Sequence, residues 1–212
     1  MSSQLVDAIP VSPREQTHPH VVAVPERDAD LARTEAAVAE LLASLGADLL
    51  HEDVRETPRR VAAMYRELLT PEEFKFTTFE NAAGYDELVL VRDIPFVSVC
   101  AHHLLPFTGH AHVAYVPGER IVGLSKLARA VVHYARSLQV QERLTKQVAD
   151  LIQNELEPKG VGVVVEAEHQ CMTIRGVQAI GTRTLTSTMY GLLRTNSATR
   201  QEFLSLAGVS RA

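Results

Sequence analysis

The segment LVLVRDIPFVSVCAHHLLPFTGHAHVAYV, Leu88 to Val116, decides how this chain folds. Leu88–Val91 and Ile94–Val99 are rich in β-branched and apolar residues and read as strand segments, and Gly109–Val116 reads as the next strand, closed by a turn at Pro117-Gly118. The intervening CAHH therefore lies at a strand end or in the connecting loop, where functional groups are commonly carried.

A second segment answers the first. Val161–Glu168 is almost continuously β-branched, so it reads as a buried strand, and it delivers His169 and Cys171 within EAEHQCMTIR, Glu166 to Arg175. The two segments hold both cysteines of the chain, and each cysteine has histidine beside it: His102 and His103 after Cys100, His169 before Cys171. Two cysteines alone would read as buried apolar residues or as a disulfide. The flanking histidines reverse that reading. Cys100 and His103 are spaced so that thiolate and imidazole can turn onto one metal ion, and Cys171 can add a third ligand from a distant strand. Three ligands leave one tetrahedral position open, the pattern of a catalytic zinc site, not of a closed structural one. His102 and His169 are then candidates for moving protons. His110 and His112, two apart on one strand face, read as ordinary strand histidines.

Outward from these segments the chain turns helical. Leu31, Val38, Leu41, Leu42 and Leu45 form one apolar face of a helix that begins near Asp28 and stops at Gly46. A second helix is expected from Thr57-Pro58, with Thr57 as cap and Val61, Met64, Tyr65, Leu68 and Leu69 buried, ending before Pro71. Phe74–Gly84 reads as an aromatic-rich loop. Ser125 is a plausible cap for a helix running to about Leu138, and a further helix spans about Val140–Leu156. Gly181–Met189 reads as the last strand and Ser197–Leu206 as a C-terminal helix. The order strand, strand, helix, helix, strand, strand implies an α+β fold, an antiparallel four-stranded sheet with two helices on one face. Its uncovered face and edges point to oligomerisation. We divide the chain into a flexible Pro-rich arm (1–27), where His18 and His20 carry no metal role, an N-terminal helical region (28–84) and a catalytic domain (85–212).

The 212 residues suit one domain with an extension, and 46% hydrophobic with 22% charged residues is ordinary for a globular chain. The formal charge of −5 gives no reason to expect nucleic acid, and no apolar run approaches a membrane span. A cytoplasmic protein with reduced cysteines is the expectation.

Across about residues 30–208 the chain resembles GTP cyclohydrolase I, in register through CAHHLLPF, GLSKLAR, VQERLT, EHQCMTIRG and TRQEF. The resemblance implies a tunnelling fold (T-fold) whose units assemble into barrels within a homodecamer of two pentamers, with sites between subunits and an inactive monomer. It implies zinc, one Zn2+ per subunit, held by Cys100, His103 and Cys171, with His102 and His169 as acid–base groups and Ser125 near the ribose chain. It also implies that Gln141 and Glu142 grip the guanine edge, which the residues by themselves would present as a solvated helix start. Arg60, Lys126, Arg129 and Arg175 match positive positions around the triphosphate or the reacting base, where charge-assisted bonds are strong. The implied reaction begins with attack of zinc-bound water on guanine C8, releases formate and ends in 7,8-dihydroneopterin triphosphate, the first step of tetrahydrofolate and pterin biosynthesis. A catalytically silent or differently specific zinc-containing T-fold protein that binds a purine or pterin is the alternative. Two positions depart from the family pattern: Ala101 where glutamate is usual, and Ala63 where some members place a lysine.

Overall fold

The computed structural model describes residues 20–22 and 30–209. In chain order its elements are β1 (His20–Val22), α1 (Leu31–Ser44), α2 (Thr57–Leu69), β2 (Phe74–Phe76), β3 (Thr78–Glu80), β4 (Val89–Cys100), β5 (Pro106–Val116) and β6 (Arg120–Val122). There follow α3 (Leu124–Ala135), β7 (Leu138–Gln139), α4 (Gln141–Leu156), β8 (Gly160–His169), α5 (Gln170–Thr173), β9 (Thr184–Gly191), α6 (Leu192–Thr195) and α7 (Ser197–Leu206). Of the stretch expected to be a flexible arm, His20–Val22 is a strand paired with Phe74–Phe76; the rest of the arm lies outside the described residues.

The main sheet has the order β7-β4-β5-β8-β9. Its four long strands pair antiparallel, as the element order led us to expect. A fifth strand adds to them: β7, two residues long, pairs parallel with the end of β4, Val99↔Leu138 and Cys100↔Gln139. The two segments read before and after Arg92 are one strand, interrupted by a bulge between Val91 and Ile94 where Asp93 takes a left-handed φ of 58°. The buried His112 accepts the Asp93 backbone N–H at Nδ1 (3.3 Å), and burial lowers its pKa, so the neutral ring suits the bulge. His110, two residues earlier on the same face, stays exposed.

Side chains alternate between two packed layers. Phe107, Ala111, Val113 and Tyr115 of β5 and Val161, Val163 and Val165 of β8 face one core, against Leu127 and Val131 of α3 and Leu144, Val148 and Ile152 of α4. Ala114, Val116 and Val164 face the other way and meet Leu193 and Phe203 of α6 and α7. The expected pair of helices thus covers one face, and the C-terminal helices take part of the second.

Three local expectations are corrected. Ser125 is not the cap of α3; Gly123 occupies the N-cap with extended backbone, and no side chain caps that end. Thr57 is the first residue of α2 behind Glu56, again without a side-chain cap, while Pro58 sits in the first turn as expected. The stretch 74–84 holds two short strands, because Phe74 and Phe76 bury on either side of exposed Lys75 and β3 pairs with β6. Runs of three residues are too short for a period of two to declare itself.

Gly162 lets the second layer close. A Cβ built there would lie 2.5 Å from Leu193 Cδ2 and 2.8 Å from Phe203 Cε1, closer than packed carbons can approach. Gly162→Ala should lower stability by about 1–3 kcal/mol through overpacking. Thermal unfolding of the variant beside the wild type checks this, and an unchanged midpoint would contradict the packing described.

Candidate metal and acid–base site

β4 and β5 are joined by a turn that their own backbone closes. The Cys100 N–H donates to the Leu105 carbonyl (2.9 Å), the Leu104 N–H donates back to the Cys100 carbonyl (2.9 Å), and Leu104 adopts a left-handed φ of 57°. Two further contacts pin it. The Ala101 N–H donates to the Gln139 carbonyl of β7 (2.9 Å), and the Tyr65 hydroxyl of α2 donates to the Leu104 carbonyl (3.0 Å). Cys100 is thereby fixed and buried at a strand end, with exposed His102 and His103 on the turn.

The other half arrives through register. β5 pairs with β8 so that Phe107, just past the turn, lies opposite His169, the last residue of β8. The chain bends into α5 at that point and places Cys171 beside Cys100. One ligand atom from each of Cys100, His103 and Cys171 lies within 4.8 Å of the other two. In a zinc tetrahedron with Zn–S near 2.3 Å and Zn–N near 2.0–2.1 Å, ligand atoms stand roughly 3.5–3.8 Å apart, so this set needs little adjustment. Cys100 Sγ lies 3.7 Å from His102 Nδ1 and 4.0 Å from His103 Nδ1. Burial, and after it the adjacent Cys100, push the Cys171 thiol up. A second thiolate there calls for a cation, and a divalent metal is the group that supplies one.

His169 is placed by two contacts. Its ring stacks on Phe107 with centroids 4.5 Å apart and planes 3° from parallel, and its Nε2 lies 2.7 Å from Gln141 Oε1. Burial lowers its pKa, opposed by the charge of Glu142. Adjacent in sequence, Gln141 and Glu142 part in space: Gln141 is buried and Glu142 exposed. Arg175 acts on Cys171 through its charge.

The remaining residues singled out in the sequence lie elsewhere on the chain. The last residue of α3, Ala135, accepts a hydrogen bond from Ser98 Oγ two residues before Cys100 (2.7 Å), so the C-terminal end of α3 is the end near the metal set. Ser125 and Lys126 occupy its opposite end, about 15 Å away along a helix rising 1.5 Å per residue. Arg129 lines a cavity of ≈ 240 Å³ with Glu72, Glu73, Phe74 and His133, and neither cysteine borders it. Arg60 is exposed on α2, five residues before Tyr65. One chain therefore brings together Cys100, His103, Cys171, His102, His169, Gln141 and Glu142, and leaves Ser125, Lys126 and Arg129 apart. Sequence reasoning missed Phe107 and Tyr65 as supports; the pairing of Phe107 with His169 becomes visible only once the β5–β8 register is known.

Residues 34–208 match the family model for GTP cyclohydrolase I. The chain belongs to the GTP cyclohydrolase I family. It is 54% identical over 184 residues to GTP cyclohydrolase 1 of Streptomyces avermitilis, covering 84% of this chain and 90% of that one. Against GTP cyclohydrolase 1 of Aquifex aeolicus it is 50% identical over 177 residues, 84% of this chain and 96% of the relative. Against that of Hydrogenobaculum sp. it is 50% identical over 165 residues, 78% and 91%. The crystal structure of the archaeosine synthase QueF-Like in the apo form covers 49% of this chain and 93% of its own with a TM-score of 0.41 and 18% identity, a likeness too slight to define the fold. Within the GTP cyclohydrolase I family fold seen here, α+β with helices on the sheet, the Cys-His-Cys group could hold a metal. Among the described residues no helix is long and apolar enough to cross a membrane.

If this group is a zinc site, the protein loaded with zinc should retain about one ion per chain, and replacing Cys100 or Cys171 by Ser, or His103 by Ala, should take that toward none, because two ligands hold the ion poorly. His102→Ala should leave zinc in place. Metal analysis after dialysis checks both, and loss of zinc from His102→Ala with retention in His103→Ala would exchange their assignments.

Proposed function

We propose that this chain hydrolyses and rearranges GTP to 7,8-dihydroneopterin triphosphate with release of formate, using the Cys-His-Cys group and the two adjacent histidines. The observation that carries this reading is the convergence of Cys100, His103 and Cys171 within 4.8 Å, with His102 beside Cys100 and His169 at the end of the neighbouring strand, in a chain of this family. Cys100, His103 and Cys171 would hold zinc, which when bound would supply Lewis-acid activation of water at neutral pH.

The chain's own groups do the rest. Glu142, exposed and close enough to act on His169, accepts hydrogen bonds from the N–H groups of the guanine edge and so sets the purine against the histidines. His102 and His169 pass protons as water adds to C8, the imidazole ring opens and formate leaves. Ser125 handles a proton on the ribose chain while the sugar opens, rearranges and closes onto the freed nitrogen. Arg60, Lys126, Arg129 and Arg175 bind the triphosphate, which anchors the substrate and stays intact. No Gly-rich loop of the GxxxxGK[ST] type occurs in the sequence, consistent with phosphates that are held and not transferred.

Separation of Ser125, Lys126 and Arg129 from the metal group within one chain supports a site completed by neighbouring subunits, in a homodecamer of two pentamers. Exposed Ile174, Val177 and Ile180 beside Arg175, and Leu185 on β9, are apolar surface for such contacts. The division at residues 28 and 85, the cytoplasmic setting and a barrel built from the sheets of several chains belong to the same reading.

Zinc-loaded protein given GTP should release formate and a pterin together, and a strong chelator should abolish both. Formate without pterin would mean that ring opening occurs and the later rearrangement fails, pointing at Ser125 and its surroundings. Neither product from an assembled, zinc-loaded protein would overturn the reading and favour a silent purine- or pterin-binding protein.

A further inference from the structure

Gln141 opens α4 and is only 2% exposed, yet both ends of its side chain are engaged. Nε2 lies 3.0 Å from the Val165 carbonyl, 2.9 Å from the Thr184 carbonyl and 3.2 Å from Thr186 Oγ1, while Oε1 lies 2.7 Å from His169 Nε2. The two carbonyls settle which end of the amide is which. Carbonyl oxygens only accept, so the end facing them is the NH2 group and the end facing His169 is the oxygen. An amide oxygen has no proton to give, so the proton in that bond sits on His169 Nε2. A neutral imidazole protonated at Nε2 carries its lone pair on Nδ1.

Neighbouring groups hold this arrangement. Thr145 Oγ1 donates to the Gln141 carbonyl (2.7 Å) and lies 2.6 Å from Thr186 Oγ1, so the Thr186 hydroxyl donates to Thr145 and keeps a lone pair for Gln141. Phe107 lies flat against the His169 ring. Among the described residues no hydrogen bond engages His169 Nδ1.

We infer that Gln141 is a positioning residue that locks His169 in its Nε2–H tautomer, makes Nδ1 the proton-carrying atom of the reaction, and does not grip the guanine edge. The inference rests on the reading of His169 as an acid–base group. As water adds to C8 and the O–C8 bond forms, Nδ1 takes the proton that the water loses. It returns that proton to the ring nitrogen that receives the electron pair of the opening bond, and the imidazole ends neutral in the tautomer it started with. Glu142 on the exposed side of the helix start keeps the guanine contact.

The test compares kcat and KM for formate release in zinc-loaded wild type, Gln141→Ala, Thr186→Val, His169→Ala and the Gln141→Ala/His169→Ala double variant. Gln141→Ala should lower kcat by roughly 10²-fold, within the contribution of general acid–base catalysis, and change KM by less than about threefold. In the His169→Ala background the same change should add almost nothing, because Gln141 acts through the ring. A raised KM with kcat kept would overturn the inference and return Gln141 to the guanine edge. So would a loss in the double variant equal to the product of the single losses. Where Gln141→Ala does not assemble, Thr186→Val decides: a several-fold drop in kcat at constant KM is expected, and wild-type kinetics would count against the network. No formate from the wild-type protein would overturn the functional reading and this one with it.

Discussion

The antiparallel register of β5 against β8 is the constraint on which the site depends. Its ten consecutive pairs run from Phe107↔His169 to Val116↔Gly160. A slip of one residue would turn Val161, Val163 and Val165 out of the core and carry His169 to the wrong face. The burial of alternate valines therefore positions a histidine and, two residues later, a cysteine. The β4–β5 turn, closed by its own backbone, supplies the other half at the same end of the sheet. Neither half is long-range in sequence terms until this pairing forms; Cys100 and Cys171 then become neighbours.

Much of this was legible beforehand because it is written in local chemistry. The apolar stripe Leu144, Val148, Leu151 and Ile152 announces α4, and β-branched Val161–Val165 announces β8. The convergence of Cys100, His103 and Cys171 was legible too, since Cys-X-X-His and a second Cys beside a His restrict what those residues can do. The parts that escaped are those that tertiary pairing creates. β2, β3 and β7 are two or three residues long and exist because a partner strand lies alongside. Ser125 and Thr57 carry the chemistry of helix caps, yet Gly123 and Glu56 occupy those positions. His110 and His112 look equivalent in the sequence, but only His112 meets the Asp93 bulge and becomes buried.

The site shows the same division. Gln141 and Glu142 read as one polar pair at a helix start, and only the fold separates an inward amide from an outward carboxylate. The inward amide has its donors absorbed by strand carbonyls, which leaves its oxygen to orient a histidine. Buried networks of this kind are effective when every member is satisfied, and here each hydroxyl and amide has a defined direction. The cations and Ser125 obey a different logic. α3 holds Ser125 and Lys126 at the end opposite the Cys-His-Cys group, and that separation is what the proposal of a site shared between chains draws on.

The central claim is that Cys100, His103 and Cys171 form one open metal site. X-ray absorption at the zinc edge of the assembled protein tests it most directly. The expected result is two sulfur neighbours at about 2.3 Å and two nitrogen or oxygen neighbours at about 2.0–2.1 Å, the fourth being exchangeable solvent. A shell without sulfur, or zinc bound only to nitrogen and oxygen, would contradict it.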